Sequence, residues 1–216
     1  MTSPTTTPDQ PRVILPEKRY AGYIFDLDGT LVDSMATHYR AWRWALRESG
    51  APHEAFLWDE FIAHGGMAAP DIVEDLNARY GLHMDAQLTA TRKRERYDFL
   101  LQTEQLPVIP ETVSLVRRLC AEGIPHAIGT GSVPAGALAT MRSAGIEDLF
   151  DIVVTPDDVG PGRGKPQPDI FLLCAQRMGV RPEDCVVFED ADPGIRAAQA
   201  GGMDYVRVGP ATRVEE

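Results

Sequence analysis

Two aspartates one residue apart, Asp26 and Asp28, are the residues whose types and spacing most clearly indicate chemistry. They directly follow the apolar residues 20–25 and precede Gly29 and Thr30. Because an unpaired carboxylate is costly to bury, two of them at the end of a buried strand indicate a chemical site. One could attack a substrate or bind a metal while the other exchanges protons. The same pattern is also typical of a turn in which both carboxylates bond their own backbone.

A hydroxyl-bearing segment, Thr130, Gly131 and Ser132, follows another apolar run at residues 127–129. A hydroxyl group and free backbone N–H groups at a strand-to-helix turn can hold a phosphate oxygen. Ser132 could instead be an ordinary helix cap.

A lysine and a pair of acids complete the candidate set. Lys165 lies between a glycine and a proline, and it is one of only three lysines in the chain, so an incidental surface charge is less expected there. Glu189 and Asp190 follow the apolar residues 186–188, and carboxylate oxygens are preferred ligands of hard cations. Asp192 could simply cap the helix that follows.

Strand-like runs alternate with helical patterns, which predicts an α/β fold with a parallel sheet. The candidate strands are residues 22–27, 125–129, 152–154, 186–188 and 205–208, and helices are expected to begin near Glu111, Pro134, Pro168 and Pro193. Residues 35–105 show helical spacing and no convincing strand, which predicts a helical insert. We predict a flexible tail at residues 1–16 and a core made of residues 17–34 and 106–216.

The composition bounds the possible functions. The chain has 216 residues, is 44% hydrophobic and carries a formal net charge of -11, which argues against binding to nucleic acid or to anionic membranes. It holds neither a 20-residue apolar stretch nor the pattern of a signal peptide, so we expect a cytoplasmic protein without a membrane span. Cys120, Cys174 and Cys185 are expected to be buried, reduced thiols. We expect a monomer or a weak homo-oligomer.

Taken together and in this order, the four segments resemble the motifs of the haloacid dehalogenase superfamily of phosphohydrolases. Residues 26–30 resemble its first motif, Thr130 its second, Lys165 its third, and Glu189 with Asp190 its fourth. The match extends over nearly the whole chain from the first strand onwards. The resemblance implies a Rossmann-like parallel sheet core with an all-helical cap domain inserted at residues 35–105.

The resemblance also implies a mechanism on a small phosphorylated metabolite. Asp26 would attack phosphorus and form an aspartyl-phosphate, and Asp28 would protonate the leaving oxygen and then activate water. Mg²⁺ would be held by Asp26, the main-chain carbonyl of Asp28 and Asp190, with Glu189 as a direct or water-mediated ligand.

The remaining site residues are expected to bind substrate. Thr130 and Lys165 would hold phosphoryl oxygens, and Lys165 would also neutralise the nucleophile; Gly131 and Ser132 extend this site. His38, in a segment resembling the cap entry of the β-phosphoglucomutase-like subfamily, would contact substrate or help to place the second aspartate. A plain helix-surface histidine is the alternative.

Several activities known in the family are alternatives for this chain. Asp28 argues against a carbon–halogen hydrolase, which lacks this second aspartate. The phosphonate-cleaving relatives need a cap lysine for a Schiff base, and Lys93, between two arginines, is predicted to lie on a solvated helix face. The chain therefore resembles the phosphoric monoester hydrolases of the family.

A phosphatase of small phosphosugars is favoured over a sugar-phosphate mutase. Val133-Pro134 and residues 67–69 offer no side-chain charge to grip the second phosphate that a mutase must hold. Residues 129–132 and 171–192 resemble bacterial fructose-1-phosphate-type phosphatases. A catalytically silent member that binds a ligand or partner is a third hypothesis. Residues 64–70 are expected to form a loop that chooses the substrate and closes over it.

Overall fold

The computed structural model describes residues 12–52, 55–65 and 67–210. Its centre is a parallel sheet of five strands ordered β3-β2-β1-β4-β5. The strands are β1 (Gly22–Phe25), β2 (His126–Gly129), β3 (Val153–Val154), β4 (Cys185–Glu189) and β5 (Asp204–Arg207). The predicted α/β fold class, with a Rossmann-like parallel sheet, is confirmed. Strand β1 is shorter than predicted because the chain turns sharply at Gly29, whose φ is +91°.

Helices fall into two groups along the chain. The first group, which we call the helical insert, lies between β1 and the rest of the sheet: α1 (Met35–Glu48), α2 (Trp58–Ala63), α3 (Ala69–Tyr80) and α4 (Ala86–Leu101). The second group flanks the sheet: α5 (Pro110–Glu122), α6 (Pro134–Ala144), α7 (Pro156–Val159), α8 (Asp169–Met178) and α9 (Asp192–Ala200). Four of these flanking helices begin within one residue of the predicted positions.

The central strands β2, β1 and β4 are largely buried on both faces, as expected of a parallel sheet covered by helices, whereas the edge strand β5 is mostly exposed. Because successive residues of a strand point to opposite sides, Phe25 packs with Phe188 and helices α5 and α6, while Ile24 packs with Val187 and helices α8 and α9. The rings of Phe25 and Phe188 stack with their centroids 4.8 Å apart. This packing fixes the ends of β1 and β4 side by side.

The helical insert has a hydrophobic cluster of its own. Its buried members are Tyr39, Trp42, Leu46, Phe56, Trp58, Phe61, Ile72, Val73, Leu76 and Met84. Two neighbouring segments connect the insert to the sheet, since the Asp33 N–H donates to the Pro107 carbonyl at 2.8 Å and Val32 pairs antiparallel with Val108. The insert therefore has a core of its own, and its placement depends on these two connecting segments. We call this pair of segments the crossing to the insert.

Two expectations for the chain's periphery need correction. Arg12 to Pro16 were assigned to the flexible tail, but Val13 is only 4% exposed and belongs to the core cluster of the sheet. The rest of the predicted tail, residues 1–11, lies outside the described residues. The three cysteines are free, yet only Cys174 and Cys185 are buried, because Cys120 faces outwards from α5.

A search of the helices within residues 12–52, 55–65 and 67–210 finds no segment long and apolar enough to cross a membrane.

Candidate active site

The candidate residues meet because three neighbouring strands end beside one another. Asp26 follows β1, Thr130 follows β2, and Glu189 is the last residue of β4. The Asp26 N–H donates to the Phe188 carbonyl at 3.0 Å, which holds the start of the aspartate turn against β4. Starting from β1, the chain adds β2 and β3 on one side of the sheet and then β4 and β5 on the other side. Open α/β sheets bind ligands at the carboxyl ends of the strands where the direction of winding reverses in this way.

A buried acidic cluster surrounds one lysine at this edge. Asp26, Glu189 and Asp190 place carboxylate oxygens within 4.8 Å of one another. The Lys165 Nζ lies 2.5 Å from Asp26 Oδ1 and 2.7 Å from Glu189 Oε2. The sequence analysis predicted that Lys165 would neutralise Asp26, and the two side chains do pair.

The charges of this cluster do not balance. Burial and the neighbouring Glu189 and Asp190 charges raise the pKa of Asp26 well above its ordinary value, although Lys165 opposes the shift. Burial and Glu189 raise the pKa of Asp190 to about 7. Burial alone would lower the pKa of Lys165, but Asp26 and Glu189 raise it overall. Three carboxylates with a single ammonium group therefore form a set of hard oxygen ligands that could hold a divalent cation.

Two glycines make room for the acidic side chains. A Cβ atom on Gly29 would lie 2.3 Å from Asp190 Oδ2, and one on Gly194 would lie 1.9 Å from Glu189 Oε2. The Thr30 hydroxyl donates to Asp190 Oδ1 at 3.2 Å, and the Ala191 N–H donates to the other Glu189 oxygen at 3.1 Å. Gly29 lies within the predicted first motif, whereas the requirement for glycine at position 194 is visible only in the structure.

We expect Gly194→Ala to impair the site. The added methyl group must displace the Glu189 carboxylate, so turnover should fall about 10²-fold, with a loss of roughly 1–3 kcal/mol in the free energy of unfolding. Gly136→Ala is the matched control, because Gly136 is also the third residue of its helix and its Cβ would lie an ordinary 3.7 Å from Val133. Steady-state kinetics and thermal unfolding test this; equal kinetics for the two variants would contradict it.

Asp28 occupies a separate, hydroxyl-rich environment. Its Oδ1 accepts from the Ser34 hydroxyl at 2.6 Å and lies 3.1 Å from His38 Nε2, and its Oδ2 accepts from the Ser132 hydroxyl at 2.7 Å. Burial alone would raise the pKa of Asp28, but its contacts with His38 and with the two hydroxyl groups lower it below its ordinary value. Ser132 thus contacts the second aspartate, and Val133 is the N-cap of α6.

Lys93 lies at this site, so the prediction of a solvated lysine is wrong. Its Nζ is 2.9 Å from His38 Nδ1 and sits over the rings of Trp42 and Tyr97, at 5.7 and 5.3 Å from their centroids. Burial lowers the pKa of Lys93 to about 8. Burial and the Lys93 charge lower the pKa of His38, while Asp28 opposes that shift. With Lys93 donating to Nδ1, we assign the proton of neutral His38 to Nε2, which donates to Asp28.

Thr130 and Gly131 lie at the open side of the edge. Thr130 is buried, its N–H donates to the Val154 carbonyl, and its hydroxyl oxygen accepts from the Ser132 N–H at 3.0 Å. A Cβ atom on Gly131 would meet no atom of the described residues within 4 Å, so the backbone there can be approached closely. Asp192, considered as a helix cap, instead pairs with Arg207 on the surface.

The predicted specificity loop is shorter than expected, because α2 ends at Ala63 and α3 begins at Ala69. His64 is 5% exposed and lies 2.8 Å from both the Glu60 carbonyl oxygen and Asp75 Oδ2. The Arg79 guanidinium contacts Glu60, His64 and Asp75. This cluster of the insert is an ion-pair network around Arg79, and both ring nitrogens of His64 have partners within it. Gly66 lies outside the described residues.

Comparison with known proteins agrees with this geometry. The family model of haloacid dehalogenase-like hydrolases matches residues 20–202. Fructose-1-phosphate phosphatase YqaB of Escherichia coli (strain K12) is 42% identical over 193 residues, covering 88% of this chain and 97% of the relative. Hexitol phosphatase A of the same strain is 38% identical over 192 residues, covering 88% and 83%. A solved structure of CbbY from Rhodobacter sphaeroides with xylulose-(1,5)bisphosphate has a TM-score of 0.76 at 25% identity, covering 91% and 90%.

The chain belongs to the haloacid dehalogenase-like hydrolase family, and the resemblance found in its motifs is confirmed. It is an enzyme of the phosphoric monoester hydrolase class.

Proposed function

We propose that the enzyme is a Mg²⁺-dependent phosphatase that hydrolyses a small phosphosugar through an aspartyl-phosphate. The observation that carries this proposal is the division of labour between the two aspartates. Asp26 pairs with Lys165 inside the acidic cluster, whereas Asp28, two residues on, is held by Ser34, His38 and Ser132. Different environments suit two carboxylates to different roles.

The acidic cluster fits Mg²⁺ in its ligand chemistry. Asp26, Asp190 and the main-chain carbonyl of Asp28 would hold the ion, with Glu189 as a direct or water-mediated ligand. All of these are oxygen donors, and the three carboxylates face the single ammonium group of Lys165. The raised pKa values of Asp26 and Asp190 show that ionising all three costs free energy, which a bound cation would offset. When bound, the ion supplies positive charge between the nucleophile and the anionic phosphate.

The proposed reaction has two steps. An Asp26 oxygen attacks phosphorus, the bond from phosphorus to the sugar oxygen breaks, and that oxygen takes a proton from the Asp28 carboxyl. Water then attacks the phosphorus of the aspartyl-phosphate, Asp28 takes its proton, and phosphate leaves. Asp28 is ionised in the structure because of its three donors, so it must gain a proton before it can act as the acid.

The phosphoryl group would be held from two sides. Lys165 offers an ammonium group beside the nucleophile, and Thr130 offers a hydroxyl group at the end of β2. Gly131 adds a backbone N–H group next to the open edge of the sheet. The Ser132 N–H, which donates to the Thr130 hydroxyl oxygen, would hold that hydroxyl in place for the substrate. His38 contacts Asp28, which supports a role in placing the acid and base.

The helical insert would act as the cap of this site. Residues from the insert, Ser34 at its entry and His38 in α1, reach Asp28, and the Tyr97 hydroxyl on α4 pairs with the Thr140 hydroxyl on α6 at 2.9 Å. The placement of the insert thereby controls which groups the second aspartate meets.

We expect Lys93→Met to lower kcat/KM for a sugar phosphate by about tenfold, because a small misplacement of a catalytic group is costly. Without the donor at Nδ1, His38 loses one of its two hydrogen-bond partners, and its hydrogen bond to Asp28 is less well oriented. Arg94→Met is the matched control, since Arg94 is exposed on the same helix. Equal kcat/KM values for the two variants would argue against a role of Lys93 at Asp28.

Two observations support small phosphosugars as the proposed substrate class: the names of the relatives and the residues near the site. The related YqaB and hexitol phosphatase A carry names that state phosphosugar or related substrates. Val133 and Met67, at the places where a mutase would grip a second phosphate, are exposed apolar side chains. A monophosphate that is hydrolysed fits these residues better than a bisphosphate that is retained.

Phosphate release from a panel of phosphorylated sugars, sugar alcohols and other small metabolites tests the proposal. The panel is run with Mg²⁺ and with a chelator. Metal-dependent release that is fastest for phosphosugars is the expected result. Isomerisation of a hexose phosphate without net release would favour the mutase, and the absence of any reaction across the panel would favour a silent binding protein.

A further inference from the structure

Arg12 connects the beginning of the described chain to three distant segments: residues 29–33, Glu111 and Gly209. Its guanidinium forms an ion pair with Asp33 at 3.1 Å and donates to the carbonyl oxygens of Gly29 at 3.4 Å and Gly209 at 3.3 Å. Its backbone N–H donates to Glu111 Oε1 at 3.0 Å, and its carbonyl oxygen accepts from the Gly209 N–H at 2.6 Å. Such a set of contacts fixes the side chain in one place.

The segment of residues 29–33 belongs to the acid and base machinery. Gly29 directly follows Asp28 in the turn. Asp33 lies immediately before Ser34, on one of the two segments that connect the sheet to the helical insert. Its backbone N–H donates to the Pro107 carbonyl of the other segment. Arg12 therefore bridges the aspartate turn and the crossing to the insert.

The Arg12–Asp33 pair is not a loose surface contact. Its side chains are 21% and 18% exposed, and the neighbouring Val13 is buried in the core of the sheet. Exposed ion pairs contribute little, whereas a partly buried pair with additional hydrogen bonds restrains geometry more strongly. Arg12 itself precedes residue 20, where the match to the family model begins, whereas its partner Asp33 lies inside that match.

We propose that Arg12 is a positioning residue that fixes the aspartate turn against the crossing to the insert, so that Ser34 and His38 meet Asp28. This inference rests on the proposed function. On this proposal, Arg12 affects proton transfer to the leaving oxygen and does not affect binding of the phosphoryl group. Loss of Arg12 should therefore matter most for substrates whose leaving oxygen needs a proton.

The test compares kcat/KM for the best sugar phosphate of the panel with kcat/KM for p-nitrophenyl phosphate, whose leaving oxygen needs little protonation. Because kcat/KM ends at the first irreversible step, it reports on departure of the leaving group. We expect Arg12→Met to lower kcat/KM for the sugar phosphate about tenfold and that for p-nitrophenyl phosphate less than about threefold. Arg12→Lys should recover part of the loss through its ion pair with Asp33.

Arg19→Met is the matched control, since Arg19 is an 87% exposed side chain 3.9 Å from Glu122. Equal losses on both substrates, which a smaller folded fraction would produce, overturn the proposal, as does wild-type kcat/KM in Arg12→Met. If Arg12→Met does not fold, Asp33→Asn carries the same expectations. A wild-type protein inactive on both substrates refutes the proposed function instead.

Discussion

Asp26→Asn is expected to lower turnover by at least about 10⁴-fold, because an amide cannot replace the attacking carboxylate. Asparagine has nearly the same shape, so the sheet and its packing should be retained. The variant also loses the charge that pairs with Lys165 at 2.5 Å. Phosphate release with saturating Mg²⁺ measures the effect, and circular dichroism checks the fold.

Asp192→Asn is the matched control for that variant. Asp192 lies three residues after the end of β4, the strand that pairs with β1, but its side chain is 69% exposed and pairs with Arg207 on the surface. Its activity should remain close to wild type. Turnover by Asp26→Asn within about tenfold of this control would rule out Asp26 as the nucleophile.

Asp28→Asn should have the second largest effect, and the effect should depend on the leaving group. We expect kcat/KM for a sugar phosphate to fall about 10²–10⁴-fold, because its leaving oxygen needs the proton. For p-nitrophenyl phosphate, kcat/KM should fall much less. Its kcat should still drop, since hydrolysis of the aspartyl-phosphate also needs Asp28 as a base, and the variant should therefore release an initial burst of p-nitrophenol.

Rapid-mixing absorbance measurements detect this burst. The Ser34→Ala variant is an informative comparison, because it removes one donor to Asp28 and keeps the carboxylate. It should lose less activity than Asp28→Asn and show no burst. Equal falls in kcat/KM for the two substrates in Asp28→Asn would contradict the role of Asp28 as the acid.

The sheet and most of the candidate site were predictable because their signals are local. Asp26, Thr130 and Glu189 each come at the end of an apolar run, and the carboxyl ends of parallel strands meet at one edge. The order of the strands cannot be read from the local sequence. The carboxyl ends of parallel strands lie at the same edge whatever that order is, so the polar residues at the strand ends could still be placed together.

The position of Lys93 could not be predicted because it depends on how helices of the insert pack. Arginines on either side indicated a solvated face, but Lys93 and Tyr97 are four residues apart and share the face of α4 that meets His38. The spacing of a lysine with a buried aromatic residue was the available signal. The partner in α1 lies 55 residues away in the sequence.

The contacts of Arg12 and Gly194 were hidden for different reasons. Threonine and proline at the start of the chain suggested a tail, and the short apolar run at residues 13–15 did not reveal that Val13 packs into the core of the sheet. Gly194 occupies an ordinary helical position, and only the approach of Glu189 from β4 shows why a side chain does not fit there. Both depend on long-range packing.

The most direct measurement is an acid quench of the enzyme during turnover with Mg²⁺ and fructose 1-phosphate, followed by mass spectrometry of the peptide that contains Asp26. The proposed mechanism predicts one phosphoryl group on Asp26, more of it in Asp28→Asn with p-nitrophenyl phosphate, and none in Asp26→Asn. Turnover without a phosphorylated Asp26 in Asp28→Asn, or with the phosphoryl group on another residue, would contradict it.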